Sequence, residues 1–169
     1  MAETVRGIVV LKPVSGDLLL SSAQALAHGV APGDHFNQGL ALALRQAYPA
    51  MARDFRHYCQ LEHPKPGEVW CWASADGKRI VNLMTQEGAS SSRSHPGKAS
   101  THNVNVALRN LKKIVEDEAF ASLALPRLAT GVGGLDWDEV WALIERHLGD
   151  LAIPVYVYEQ YQPGVAADE

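Results

Sequence analysis

The chain has few cysteines, no long apolar run and no excess of positive charge. Its two cysteines, Cys59 and Cys71, are too few for a disulfide scaffold and fit a reducing compartment. No apolar run reaches the roughly 18 to 20 residues that cross a bilayer, and the first residues lack the pattern of a signal peptide. Fifteen basic residues against nineteen acidic ones give a net charge of -4. These absences predict a cytoplasmic protein without membrane contact and without a broad nucleic-acid-binding surface.

The composition is that of one ordinary domain. The chain has 169 residues, of which 47% are hydrophobic and 20% charged. We predict a single domain over residues 1–160, a monomer in solution. Residues 161–169 are small and polar, which predicts a disordered tail.

Strand and helix patterns alternate along the chain. The predicted elements are strands at 8–11 and 24–28, helices at 39–48 and 50–60, strands at 69–74 and 79–84, a helix at 101–119, a strand at 123–128, a helix at 137–147 and a strand at 153–159. Asp76-Gly77 is a hairpin signal, so two of the strands are expected to be antiparallel. The predicted fold class is α/β, a three-layer α/β/α sandwich with a mixed central sheet. The stretch from Gly88 to Lys98, with Ser90 to His95 at its centre, is predicted to be a mobile loop that acts as a lid or binding loop.

A glycine-rich turn between a buried strand and a helix is the most informative motif. Gly131, Gly133 and Gly134 let backbone N–H groups converge on one anion without side chains in the way. The alternative is that these glycines merely relieve a tight strand-to-helix turn. Asp136 and Glu139 are spaced as a capping box, which favours a helix start at this point.

Two further loops offer ligand contacts. Gln38-Gly39 opens a helix after irregular chain, and the start of a helix favours nearby negative charge. Asp17 follows the first strand, where a carboxylate can accept a hydrogen bond at the sheet edge; the alternative is a plain turn residue. Together the three loops predict one cleft.

At these loops the sequence resembles the macrodomains, most closely the branch of terminal ADP-ribose glycohydrolases and of antitoxins that remove ADP-ribose from DNA. The motifs that carry the resemblance are Gly16-Asp17-Leu18, Ala27-His28, Gln38-Gly39-Leu40-Ala41, Pro126-Arg127-Leu128 and Gly131-Val132-Gly133-Gly134-Leu135-Asp136-Trp137. The resemblance implies an ADP-ribose-binding fold that acts as an ADP-ribosyl hydrolase. Its partners would be ADP-ribose or ADP-ribosylated protein or nucleic acid.

The resemblance also implies which residues hold the ligand. Asp17 would accept from the adenine amino group, the Leu18 N–H would face a ring nitrogen, and Tyr158 would stack on a ring unless it packs in the core. The diphosphate and distal ribose would lie between two sets of residues: Asn37, Gln38, Gly39 and Leu40 on one side, and Thr130, Gly131, Val132, Gly133, Gly134 and Leu135 on the other.

Two positions depart from this branch. The lysine that attacks the anomeric carbon there is replaced by Gln86, after Thr85, and an amide cannot form a Schiff base. The aspartate of the glycine loop is replaced by Gly133. These departures favour a non-covalent reaction with water; Lys98 in the mobile loop is the remaining lysine nearby.

His28 is the candidate general acid or base, because imidazole titrates near neutral pH. Its alternative is a hydrogen-bonded packing residue. Three functions therefore remain open: de-ADP-ribosylation, binding of ADP-ribose or a related NAD metabolite without turnover, and removal of the phosphate from ADP-ribose 1''-phosphate.

His57, Cys59 and His63 are metal-ligand types, but His57 and Cys59 are two residues apart on a predicted helix and point to different sides. No metal and no cofactor are therefore predicted.

Overall fold

The computed structural model describes residues 11–89 and 96–169. The predicted strand at 8–11 lies outside the described residues except for Leu11. The central part of the predicted loop, from Ser90 to His95, lies outside them as well. No helix of the described part is both long and apolar enough to span a membrane.

Six strands and four α-helices make up the described chain. In chain order they are β1 (Leu11–Gly16), β2 (Ala25–Val30), α1 (Gly39–Ala47), α2 (Pro49–Glu62), β3 (Val69–Ala73), β4 (Arg79–Met84), α3 (Thr101–Asp117), β5 (Leu123–Pro126), α4 (Trp137–Leu148) and β6 (Val155–Tyr161). A single 3-10 turn, Leu18–Leu20, follows β1.

The strands form one mixed sheet in the order β1-β6-β5-β2-β4-β3. All neighbours are parallel except β3 and β4, which the hairpin at Asp76-Gly77 joins in antiparallel register. The antiparallel pair confirms the hairpin prediction, and the mixed sheet confirms the predicted fold class.

A separate core fills each face of the sheet. On one face, Val104, Leu108 and Leu111 of α3 pack with Val140 and Ile144 of α4 against the strands. The other face is covered by α1 and α2, whose buried members are Leu44, Met51, Ala52 and Phe55. The sheet therefore lies between two helical layers, as the sequence predicts.

β1 and β6 end later than predicted. β1 continues through Pro13 to Gly16 because it is an edge strand, where a proline costs no central ladder bond. β6 continues to Tyr161, so Tyr158 lies within the strand and not at its end.

Residues 161–169, predicted as a disordered tail, have defined contacts. Gln162 N donates to Gly16 O at 2.9 Å, and the Glu169 carboxylate accepts from the Tyr158 hydroxyl at 2.6 Å. Backbone bonds and one acidic side chain thus place this stretch against the sheet, a contact that its composition does not indicate.

Candidate functional site

The sheet separates at its middle. β2 and β5 pair only at Ala25 with Leu123 and at Leu26 with Ala124. Beyond these pairs β2 follows β4 to Val30, while β5 follows β6 to Pro126. The strands thus diverge at their carboxyl ends, which is where open α/β sheets bind ligands.

A cavity of about 440 Å³ lies at this opening. A volume of this size accommodates a small ligand. The sequence-predicted residues that line it are His28, Asn37, Gln38, Gly39, Leu40, Gln86, Gly131, Val132 and Gly133. The structure therefore brings two of the three predicted loops into one cleft.

The first wall is the start of α1. Gln38 is the N-cap residue, and its side chain makes no capping hydrogen bond. Arg45 Nη1 donates to Asn37 Oδ1 at 2.8 Å and to His35 O at 3.2 Å, which fixes the loop before the helix. The first N–H groups of α1 thus receive no side-chain cap, and residues 38–41 line the cavity.

The second wall is the glycine turn. A Cβ at Gly133 would lie 2.5 Å from Ala129 O, so the chain passes itself too closely for any side chain. Ala129 has φ +62°, a left-handed conformation that costs a non-glycine residue about 1 kcal/mol. Among the described hydrogen bonds, none uses the N–H groups of Thr130, Gly131, Val132 or Gly133. The turn is therefore both a tight connection and a source of backbone N–H groups that have no partner among the described hydrogen bonds.

Three residues predicted for this wall, Thr130, Gly134 and Leu135, do not line the cavity. Gly134 N donates to Gly131 O at 3.1 Å, and Leu135 N donates to Ala129 O at 3.0 Å. Their amides hold the turn in shape and do not line the cavity. Asp136 caps α4 through Glu139 N at 3.3 Å, which confirms the capping prediction.

Gln86 is connected to the glycine turn through residues 97–99. Its Nε2 donates to Gly97 O at 3.0 Å, and Ala99 N in turn donates to Gly133 O at 3.1 Å. Gln86 is buried and lines the cavity. The side chain at the position of the family lysine is thus a tether for residues 96–99.

His28 is almost wholly enclosed, with 2% of its surface exposed. Its Nε2 lies 2.6 Å from Asn82 Oδ1, and its ring meets Phe36 edge-on. Burial lowers the pKa of His28 to about 4, against the opposing effects of Asn82 and Asp34. The imidazole is therefore neutral at pH 7, which favours the interpretation of His28 as a hydrogen-bonded packing residue.

The predicted adenine residues are covered. Asp17, Leu18 and Tyr158 are buried and do not line the cavity. Asp17 Oδ1 accepts from Leu19 N at 3.0 Å, which is the turn role that the sequence left open. Tyr158 belongs to the core beneath α1 and α2, which is the packing role that the sequence offered as an alternative to ring stacking.

Two charged residues of the cleft escaped sequence reasoning. Asp34 lines the cavity, and its oxygens accept from Ala31 N at 3.1 Å and Phe36 N at 2.9 Å. Arg127 lines it too and lies 5.2 Å from the ring centre of Trp137. The turn sequence Pro32-Gly33-Asp34 was the available signal for the first of these; the packing of Arg127 on Trp137 has no sequence signal.

The metal-ligand types noted in the sequence do not converge. Within residues 11–89 and 96–169, no three His, Cys, Asp or Glu side chains are placed to hold an ion.

A mixed sheet whose strands diverge at their carboxyl ends, with a cleft at that edge, defines the class of open α/β domain that binds ligands there. The family model "Macro domain" matches residues 27–144. The chain therefore belongs to the macro domain family.

Its relatives include larger bacterial proteins. The chain is 30% identical over 129 residues to the DNA ADP-ribosyl glycohydrolase of Mycobacterium tuberculosis, covering 75% of this chain and 35% of that protein. It is 28% identical over 160 residues to a DNA ADP-ribosyl transferase-DNA ADP-ribosyl glycohydrolase fusion protein of Thermosipho africanus, covering 88% of this chain and 41% of that one. The chain thus spans less than half of these relatives.

A solved structure has the same architecture along its whole length. The macrodomain of Thermus aquaticus DarG superposes with a TM-score of 0.76 at 27% identity, covering 88% of this chain and 97% of that one.

Proposed function

We propose that this chain binds ADP-ribose in the cleft and hydrolyses an ADP-ribosyl group from a modified substrate. The observation that carries the proposal is that two walls, the start of α1 and the glycine turn, line one cavity and have backbone N–H groups without a partner among the described hydrogen bonds. Such dipoles hold a diphosphate without a lysine cluster, which suits a chain of net charge -4.

DNA is the substrate class that we propose. Both bacterial relatives carry DNA ADP-ribosyl glycohydrolase in their names. Because the chain spans less than half of each, their activity transfers to it only as a proposal. ADP-ribosylated protein is the competing substrate class.

We propose that the reaction is non-covalent. Water adds to the anomeric carbon, the bond from that carbon to the substrate breaks, and the leaving group takes up a proton. Gln86 supplies no amine, and its side chain is held by Gly97. The walls stabilise developing charge with dipoles that are already oriented.

Asp34 is our candidate acceptor for the proton of the attacking water. It is the one carboxylate among the described residues that line the cavity. A carboxylate has about four acceptor positions, so the two backbone bonds leave room for water. We expect Asp34→Asn to lower kcat by about 100-fold or more with little change in ADP-ribose affinity. An unchanged kcat would remove Asp34 from the mechanism.

We infer that His28 acts as a packing residue and not as the general base. Its neutral, enclosed ring and its bond to Asn82 support this role. His28→Gln should keep turnover per folded molecule, and a loss of turnover without a loss of folding would restore the catalytic role.

A binding module without turnover is the second candidate. It is favoured by the two departures, Gln86 and Gly133, at positions where relatives of the same branch carry the reacting groups. An enzyme and a binding module would use the same walls of the cleft, so the shape of the cavity does not distinguish the two functions.

One pair of measurements separates the candidates. ADP-ribose binding is measured by calorimetry, and ADP-ribose release is measured from ADP-ribosylated single-stranded DNA and from ADP-ribosylated protein. Binding with release from DNA supports the main proposal. Binding with no release from either substrate supports the module, and no binding defeats both.

We propose that the protein acts as a monomer in the cytoplasm. Cys59 and Cys71 are both unpaired, which suits a reducing compartment. Light scattering at micromolar concentration tests the monomer, and a stable dimer would overturn it.

A further inference from the structure

The end of the cleft expected to hold adenine is closed by the chain itself. Only 8% of Asp17, 1% of Leu18 and 3% of Tyr158 are exposed. Residues 162–169, which we call the strap, lie over them. Asp17 N donates to Val165 O at 2.7 Å, and Gly164 N donates to Asp17 Oδ2 at 2.9 Å.

A single carboxylate fastens the strap. Glu169 accepts from the Tyr158 hydroxyl at 2.6 Å, from Ser22 N at 3.0 Å and Ser22 Oγ at 2.8 Å, and also from Ser21 Oγ. Burial alone would raise the pKa of Glu169, but these hydrogen bonds lower it below its usual value. Hydrogen bonds to a charged acceptor are the stronger kind, so Glu169 is the main anchor.

The strap approaches the sheet closely but buries little of its own surface. A Cβ at Gly16 would lie 2.8 Å from Val165 O and from Ala167 N. Gly164, Val165 and Ala166 are themselves exposed. Segments held by polar contacts with little apolar burial open at low free energy.

We propose that the strap occupies the adenine end of the cleft and is displaced when adenine binds, with Glu169 as its latch. This proposal rests on the proposed ADP-ribose site. In the closed form Gly164 N holds the Asp17 oxygen that the adenine amino group would use. When adenine binds, its amino group replaces the Gly164 N–H as the donor to Asp17. Because only open molecules bind adenine, the apparent affinity is the intrinsic affinity multiplied by the fraction of molecules that are open.

Calorimetry with three probes tests the strap: ADP-ribose, AMP and ribose 5-phosphate. Glu169→Ala should raise the affinity for ADP-ribose and for AMP by about tenfold, because the hydrogen bonds of Glu169 no longer oppose opening of the strap. Ribose 5-phosphate lacks adenine, so its affinity should not change. Ser22→Ala should give a smaller gain than Glu169→Ala.

Asp168 provides the matched control. It is the exposed neighbour of Glu169, so Asp168→Ala makes the same change of charge without touching the latch. This variant should bind all three probes as the wild type does.

Amide hydrogen exchange of the wild type gives a second readout that needs no variant. Saturating AMP should speed exchange at Gly164, whose N–H loses its partner. Slower or unchanged exchange there would overturn the proposal.

The other outcomes are equally decisive. Equal AMP affinity in the wild type and Glu169→Ala overturns the latch, and weaker AMP binding in Glu169→Ala would make the strap a wall of the site. If no variant binds ADP-ribose, the proposed function fails first and the strap proposal falls with it.

Discussion

A buried imidazole makes stability depend on pH. The pKa of His28 is lowered to about 4 in the folded protein, mainly by burial, against about 6.5 in an unfolded chain. As pH falls through that window the unfolded chain takes up a proton that the native state does not, so stability falls with pH. We expect this residue to lower the free energy of unfolding by about 2 kcal/mol between pH 7 and pH 5.

Urea unfolding at the two pH values measures this loss. His28→Gln should remove that part of the pH dependence, although the variant is less stable at pH 7. His102→Gln changes an exposed histidine and should keep the wild-type slope. If His28→Gln keeps that slope as well, the ring is not buried as a neutral group.

Two glycines of the same turn provide a matched pair. Alanine at position 133 would set its Cβ 2.5 Å from Ala129 O, whereas nothing lies within 4 Å of a Cβ at Gly131. We expect Gly133→Ala to lower the free energy of unfolding by about 1 to 3 kcal/mol. Gly131→Ala should stay within about 0.5 kcal/mol of the wild type. Equal losses in chemical denaturation would contradict the crowding at Gly133.

At the scale of elements, one side-chain amide adds to the backbone hydrogen bonds that hold residues 96–99. Gln86 Nε2 is the side-chain donor to Gly97 O, and Ala99 N continues the connection to the glycine turn. Loss of a hydrogen bond of about 1 kcal/mol should speed exchange at the Gly97 and Ala99 amides by about fivefold in Gln86→Ala. Gln60→Ala, at an exposed position of α2, should leave both amides unchanged.

The helices and the hairpin could be predicted because their signals are local. Apolar spacing located α3 and α4, and Asp76-Gly77 located the turn between β3 and β4. The end of β1 could not be predicted, because Pro13 ends a central strand but is tolerated at a sheet edge, and edge position is a property of the assembled sheet.

The features of the site likewise divide into those with a local signal in the sequence and those without one. Glycines mark both walls of the cavity in the sequence, at Gly39 and at Gly131 to Gly133. The cover over Asp17 has no local signal, because its contacts join residues as far apart as Ser21 and Glu169 through backbone amides and one carboxylate. The hydrogen bond of His28 likewise joins it to Asn82, which lies on another strand.

At the scale of the whole molecule, the charge balance limits how a nucleic acid binds. If it binds ADP-ribose as proposed, through backbone dipoles, a chain of net charge -4 neutralises few phosphates and releases few counterions. We expect its affinity for ADP-ribosylated single-stranded DNA to fall by less than about tenfold between 50 and 200 mM salt. Fluorescence anisotropy measures this, with unmodified DNA as the control. A loss of about 1,000-fold would indicate a polyanion-binding surface.

Because β1 pairs only with β6, the two ends of the cleft form at different times during synthesis of the chain. Asp17 meets Gly164, which lies 147 positions later in the chain. At about 5 to 20 residues per second, a ribosome needs on the order of 10 s to make the intervening chain. Until β6 is made, β1 has no partner strand. The loops that line the cavity, from Gln38 to Gly133, are all synthesised before β6. The cavity end of the cleft is therefore the older part of every new molecule, and the end around Asp17 forms only with the final residues of the fold.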